Sequence, residues 1–147
     1  MARQADDLVV SSEPDANPAD VGQVRRGLHG YNAHETGLEA QQLVNLFVRD
    51  KAGEIRGGLL GYRWGGWLHL THLWVAEPYR GRGLGRRLLE TAEQEAMDTG
   101  AQGCFATAFD FQSPDFYRRL GYEVYAELPD YPPGHTTYHL RKWLGGR

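Results

Sequence analysis

Between residues 73 and 97 the chain runs from an apolar stretch ending Leu73-Trp74-Val75, past Glu77 and Pro78, into Arg80-Gly81-Arg82-Gly83-Leu84-Gly85-Arg86-Arg87 and then a helical pattern. No other stretch limits the fold as much. Glycines at alternate positions remove every second Cβ, so the backbone can curl and offer successive N–H groups to one anion. From Leu84 the apolar residues recur at Leu88, Leu89, Ala92 and Ala96, a helical spacing, so the turn opens onto a helix N-terminus. Such an end carries unpaired N–H groups and partial positive charge. Phosphate suits it, and Arg80, Arg82, Arg86 and Arg87 put four of the 16 basic residues within this one turn.

Two other glycine motifs fail on spacing. A dinucleotide fingerprint G-x-G-x-x-G starting at Gly81 needs glycine where Arg86 stands, and no G-x-x-x-x-G-K-[ST] occurs. Composition narrows the reading further. A chain of 147 residues with 41% hydrophobic content is expected to form a single domain over 1–147 with a real core. The net charge of −3 speaks against a nucleic-acid binder, whose basic face normally shows in the total. One cysteine, Cys104, and no arginine-led apolar segment after Met1 point to a cytoplasmic protein, and no apolar run reaches membrane-spanning length.

Along the chain, residues 1–7 are polar and residues 8–10 are expected as a short first strand. Asn17-Pro18-Ala19-Asp20 caps a helix whose apolar residues are Val21, Val24, Leu28 and Tyr31, with 30–37 reading as a loop or short second helix. Strands follow over 42–49, 55–64 and 67–75, the last two joined by a Gly65-Gly66 hairpin turn. A helix over 83–99 returns the chain to a parallel strand over 103–109 by a right-handed crossover. Ser113-Pro114-Asp115 caps a further helix ending before Gly121, strands over 122–128 and 136–142 close the sheet, and 143–147 is expected as a frayed tail.

Arg80 to Gly85 reads R-x-x-G-x-G, placed after a strand and opening a helix, and it resembles motif A of the GNAT superfamily of acyl-CoA-dependent N-acetyltransferases. Phe116-Tyr117-Arg118-Arg119-Leu120-Gly121-Tyr122 resembles that family's second motif, so the likeness covers about residues 67–125. It implies an α/β (α+β) fold: a mixed, mostly antiparallel sheet of six to seven strands flanked by about four helices, with the two parallel strands splayed at the cofactor site. It implies acetyl-CoA as cosubstrate and no metal. Leu73, Trp74 and Val75 would run along the pantetheine arm, and Arg80, Gly81, Arg82, Gly83, Leu84, Gly85 and Arg86 would cradle the pyrophosphate. A backbone N–H of the strand would face the thioester oxyanion. Tyr117 would be the general acid for the departing thiolate, although it also reads as a core aromatic beside Phe116. Many relatives carry asparagine just before this helix, where Gln112-Ser113 stands here.

The base is open. Strict alternation puts Trp67, His69, Thr71, Leu73 and Val75 on one face of their strand and Leu68, Leu70, His72 and Trp74 on the other. His69 lies eleven residues before Arg80, where relatives with a carboxylate base on that strand carry theirs, so it leads His72 and Glu77. A hydrogen-bonded sheet histidine is the plainer reading of each. Tyr31, His34 and Glu35 in the first loop, and Asp130, Tyr131 and His135 in the last, are candidates for gripping the acceptor or for acting through water. Opposed histidines at 69 and 72, with no HExxH and no cysteine pair, speak against metal. The implied activity is direct acetyl transfer to the primary amine of a small molecule. A protein lysine or N-terminal acceptor is the alternative, and a non-catalytic acyl-CoA sensor is the alternative of another class. A homodimer is one way to cover the edge left by the terminal strands.

Overall fold

The computed structural model describes residues 8–145, so the polar start expected over 1–7 lies outside the described residues. The chain forms two compact units, one ending at Glu39 and one beginning at Ala40. In the first unit, residues 8–10 form no strand, and Leu8, Val9 and Val10 are exposed. A run of three apolar residues before Ser11, Ser12 and Pro14 has no strand beside it to complete a ladder. Helix α1 (Pro18–Thr36) starts as expected: Asn17 Oδ1 accepts the Ala19 N–H at 2.9 Å and Pro18 takes the first position. It runs straight through Gly30, so the expected loop or second helix over 30–37 is the end of α1. The stop is Gly37, left-handed at φ 67°, whose N–H donates to Ala33 O.

The second unit contains β1 (Gln42–Arg49), β2 (Ile55–Trp64), β3 (Trp67–Val75), β4 (Gly103–Phe109), β5 (Glu123–Pro129) and β6 (Thr136–Trp143), in spatial order β1-β2-β3-β4-β6-β5. Every neighbouring pair is antiparallel except β3 with β4. Helix α2 (Leu84–Asp98) makes the crossover between those two, and α3 (Pro114–Arg119) lies between β4 and β5. The described residues therefore hold six strands and three α-helices, with one 3-10 turn at Glu77–Tyr79.

The core lies between the sheet and α2. Leu88, Leu89, Ala92 and Ala96 of α2 are buried together with Leu59, Leu68, Leu70, Cys104, Ala106 and Leu140 of the sheet. Each fully buried leucine contributes about 1.5–3 kcal/mol, which fixes α2, and hence the turn before it, to the strands. The expected frayed tail begins too early. Trp143 belongs to β6 opposite Gly103, and Leu144 is buried with its N–H donating to Gln102 O at 2.9 Å. Gly103 makes this packing feasible, since a Cβ there would overlap the Trp67 ring, which lies 4.9 Å from Trp143.

Alternation on β3 is broken. Its partners on β2 step from Leu60 opposite His72 to Gly61 opposite Leu70, so Thr71 is an extra residue, a β-bulge. Residues 60 and 62 share a face of β2, and so their partners His72 and His69 share a face of β3. The expected assignment of faces is corrected accordingly: Leu73 and Val75 join Leu68 and Leu70 on the core side, while His72 and Trp74 join His69 on the other. Gly61 permits the bulge, because a Cβ there would overlap the His69 carbonyl oxygen.

Candidate active site

At the turn into α2, Gly81 and Gly83 take left-handed φ values of 75° and 77°, and a Cβ on either would project into open space. Gly83 is the N-cap and has no side chain to satisfy the helix amides. The helical ladder begins with Arg87 N–H donating to Gly83 O at 3.0 Å, so the amides of Leu84, Gly85 and Arg86 precede it. No acid stands in the first turn, leaving the positive end of the helix dipole uncompensated. Gly85 serves a different end: a Cβ there would meet the Phe116 ring at 3.4 Å, so its smallness lets α3 approach α2.

The arginines divide in their tasks. Arg80 Nε donates to Val75 O at 2.8 Å, tying the turn to the end of β3. Arg82 donates to Pro78 O at 3.3 Å and lies over the Tyr79 ring. Arg86 pairs with Glu90 at 2.7 Å along the helix. Arg87 instead lines a separate groove with Phe47 and Leu88, and of the four arginines Arg80 and Arg86 border the open space at the turn.

Strands β3 and β4 pair from Trp67 opposite Gly103 only as far as Leu70 opposite Ala106. Beyond that point they part, and the β4-facing edge of Thr71 to Val75 stands outside the ladder. Two cavities open along this gap. One, of about 580 Å³, reaches from Leu73, Trp74 and Val75 to Gly81, Gly83, Leu84, Gly85 and Arg86. The other, of about 450 Å³, reaches from the same strand end to Thr71, His72, Thr107 and Phe111. Leu73, Trp74, Val75, Arg80, Gln112, Ser113 and Tyr117 line both.

Tyr117 therefore stands at the junction. Its ring packs edge-on against Phe116 and Tyr122, and only 8% of the residue is exposed. Burial, with a smaller contribution from the Cys104 thiol, pushes its hydroxyl up to about 12, so the phenol stays protonated across the neutral range. Behind it Glu93 accepts from Tyr122 Oη at 3.2 Å and from Lys142 Nζ at 2.7 Å, a charged pair set into the core. Ser113, at the N-cap of α3, is left-handed at φ 55° with no capping bond from its side chain. Gln112 Oε1 accepts the Phe109 N–H at 3.0 Å and closes the end of β4.

Of the candidate bases, His69 lines neither cavity. Its Nδ1 lies 2.6 Å from Tyr62 Oη, its ring stacks on Phe105 at 4.3 Å, and burial pulls its pKa down. His72 lines the 450 Å³ cavity, with Nδ1 3.0 Å from Thr71 Oγ1. Glu77 is exposed on its 3-10 turn and lines neither cavity. Tyr131 packs edge-on against Phe109, and His135 Nδ1 lies 2.8 Å from Asp110 Oδ1 with its ring edge-on to Phe111. Tyr31 and Glu35 sit on α1 of the first unit, Glu35 being 3.7 Å from His34 Nδ1. Sequence reasoning missed Thr71, Thr107 and Phe111. For Phe111 a signal existed, an aromatic residue just past the end of an apolar strand. Among the described residues no cluster of three His, Cys, Asp or Glu side chains could hold a metal ion, and no helix is long and apolar enough to cross a membrane.

A glycine turn on a helix N-terminus, set beside two parted parallel strands, offers amides to a phosphate and an unpaired strand edge to an amide-bearing arm. Residues 15–122 match the Acetyltransferase (GNAT) family, and the chain belongs to that family of acyltransferase enzymes. Blasticidin-S acetyltransferase of Streptomyces morookaense is 47% identical over 110 residues, 73% of this chain and 81% of that protein. A crystal structure of an acetyltransferase from Bacillus cereus superposes with a TM-score of 0.78 at 28% identity, covering 91% of this chain and 98% of that one. A second, from Agrobacterium tumefaciens, gives 0.84 at 28% identity, covering 92% and 98%.

Proposed function

We propose that this enzyme transfers acetyl from acetyl-CoA directly to the primary amine of a small molecule, with blasticidin S the first acceptor to try. The observation that carries this is the junction: one cavity runs to the glycine turn, the other to His72 and Phe111, and Tyr117 lines both. The residues present fit the coenzyme. Open space beyond Gly81 and Gly83, amides ahead of the helical ladder and a first turn without acid suit a diphosphate. The unpaired edge of Leu73, Trp74 and Val75 suits the amide-bearing arm, and Arg80 and Arg86 add charge at the rim. When bound, the coenzyme supplies the activated acetyl group.

The chain's residues then do three things. The open edge of β3 turns a backbone N–H toward the carbonyl whose oxygen becomes negative. His72 takes the proton that the amine must lose, either directly or through water, since it lines the acceptor cavity and His69 does not. The Tyr117 hydroxyl makes no hydrogen bond to a described residue and supplies the proton that the departing sulfur takes up. The family match runs across the boundary between the two units, which favours one catalytic domain over 1–147. The reading includes a cytoplasmic location and a homodimer, the latter because β1 and β5 are the outermost strands of the sheet among the described residues; light scattering tests the dimer. A thiol-release assay with acetyl-CoA and an amine panel tests the activity. Turnover with a small amine is expected. Coenzyme binding with no turnover on any small amine would leave a protein acceptor or a sensor.

A further inference from the structure

Two large aromatic rings border the 450 Å³ cavity. Trp74 from β3 and Phe111 just beyond β4 stand on the two walls of the parted strands, and each is more than half exposed, at 53% and 57%. Rings left half uncovered inside a cleft mark a surface that a ligand can cover. Phe111 is also held in place. It stacks against Phe109 at 5.3 Å, and the His135 ring meets it edge-on at 4.9 Å. His135 is fixed in turn by Asp110 Oδ1 at 2.8 Å, while Asp110 Oδ2 accepts the Thr136 N–H at 2.9 Å. A ring positioned in advance loses little freedom when something stacks on it. The cavity lining contains no carboxylate and includes Arg80, so it offers a polycationic chain no ion-pair partner.

Resting on the amine-acetylation reading above, we propose that the acceptor carries a planar, delocalised ring and that Phe111, opposite Trp74, is the surface on which that ring stacks. Phe111 is a specificity residue, and His135 with Asp110 positions it. The test pairs an aromatic amine with its saturated counterpart, benzylamine against cyclohexylmethylamine, with kcat/KM taken per neutral amine because the aryl group lowers the amine's basicity. The wild-type enzyme is expected to favour benzylamine by about tenfold in kcat/KM, the worth of one aromatic stack. Phe111→Leu should erase that preference, chiefly through KM, while calorimetry shows acetyl-CoA binding unchanged and a thermal melt shows the fold intact. His135→Ala should erode the preference less, by about threefold, because the ring remains but loses its brace. Equal kcat/KM for the two amines in the wild type, or a preference that survives Phe111→Leu, overturns the inference. If no amine is acetylated, calorimetry with the same pair still decides it: tighter binding of benzylamine sustains the stacking site while the acetyltransferase reading falls, and equal or absent binding overturns both.

Discussion

Lys142 Nζ donates to Glu93 Oε2 at 2.7 Å from the last strand of the sheet, and the same carboxylate receives the Tyr122 hydroxyl at 3.2 Å. Glu93 is 5% exposed, so its charge is tolerable only while both donors are present. Lys142→Met should destabilise the protein by about 3 kcal/mol, the lower end for a broken buried pair because the lysine is partly exposed. Adding Glu93→Leu should recover most of that loss. Urea denaturation of the two singles and the double measures the coupling, and additive effects would show that the pair is not a unit.

Gly83→Val should weaken acetyl-CoA binding by roughly 10- to 100-fold, the worth of one or two charge-assisted hydrogen bonds. The new side chain occupies the open space at the turn and strains a φ of 77°. Calorimetry reads the affinity. Unaltered binding would place the coenzyme elsewhere.

Tyr117→Phe should lower kcat by roughly 100-fold or more, the usual contribution of a general acid, with little change in acetyl-CoA affinity. The ring contacts with Phe116 and Tyr122 survive the change, so the fold should too. A variant with near wild-type kcat would return Tyr117 to the packing role.

Buried acids set an alkaline limit: the Cys104 thiol, the Tyr117 phenol and the Tyr122 phenol are all pushed up, burial being the main cause. Burial pushes the Cys104 thiol from 9.0 and the Tyr117 phenol from 10.0 up to about 12 each. Between the ordinary and the shifted values the unfolded chain has lost these protons while the folded chain keeps them. Stability is therefore complete below pH 9 and falls as pH rises toward 12, by several kcal/mol at the top of that window. Denaturation midpoints measured from pH 8 to 11 should fall, and Cys104→Ala should flatten the slope that begins near pH 9.

Gly61→Ala should cost about 1–3 kcal/mol by forcing β2 from β3 where a Cβ meets the His69 carbonyl. It should also slow turnover, because the bulge is what turns His72 and Trp74 away from the core. Denaturation together with kcat reads both effects.

Local chemistry was enough for much of this chain. The bounds of β1 through β4 follow from β-branched and aromatic runs bounded by turn residues such as Asp50, Gly65, Pro78 and Asp110, the start of α1 from Asn17 and Pro18, and the phosphate turn from three alternate glycines before an amphipathic helix. These signals reside in residues a few positions apart, so they can be read without a partner. The bulge at Thr71 cannot, because an extra residue exists only relative to the strand opposite, and the single clue is a glycine ten positions earlier. That one slip decides which histidine lines the cavity. Tertiary structure also decided that residues 8–10 stay out of the sheet and that Leu144 enters the core, since both depend on whether a neighbour is available to be buried against. The placement of Phe111 across from Trp74 arises from the parting of β3 and β4, a matter of how two distant segments pair and then cease to pair.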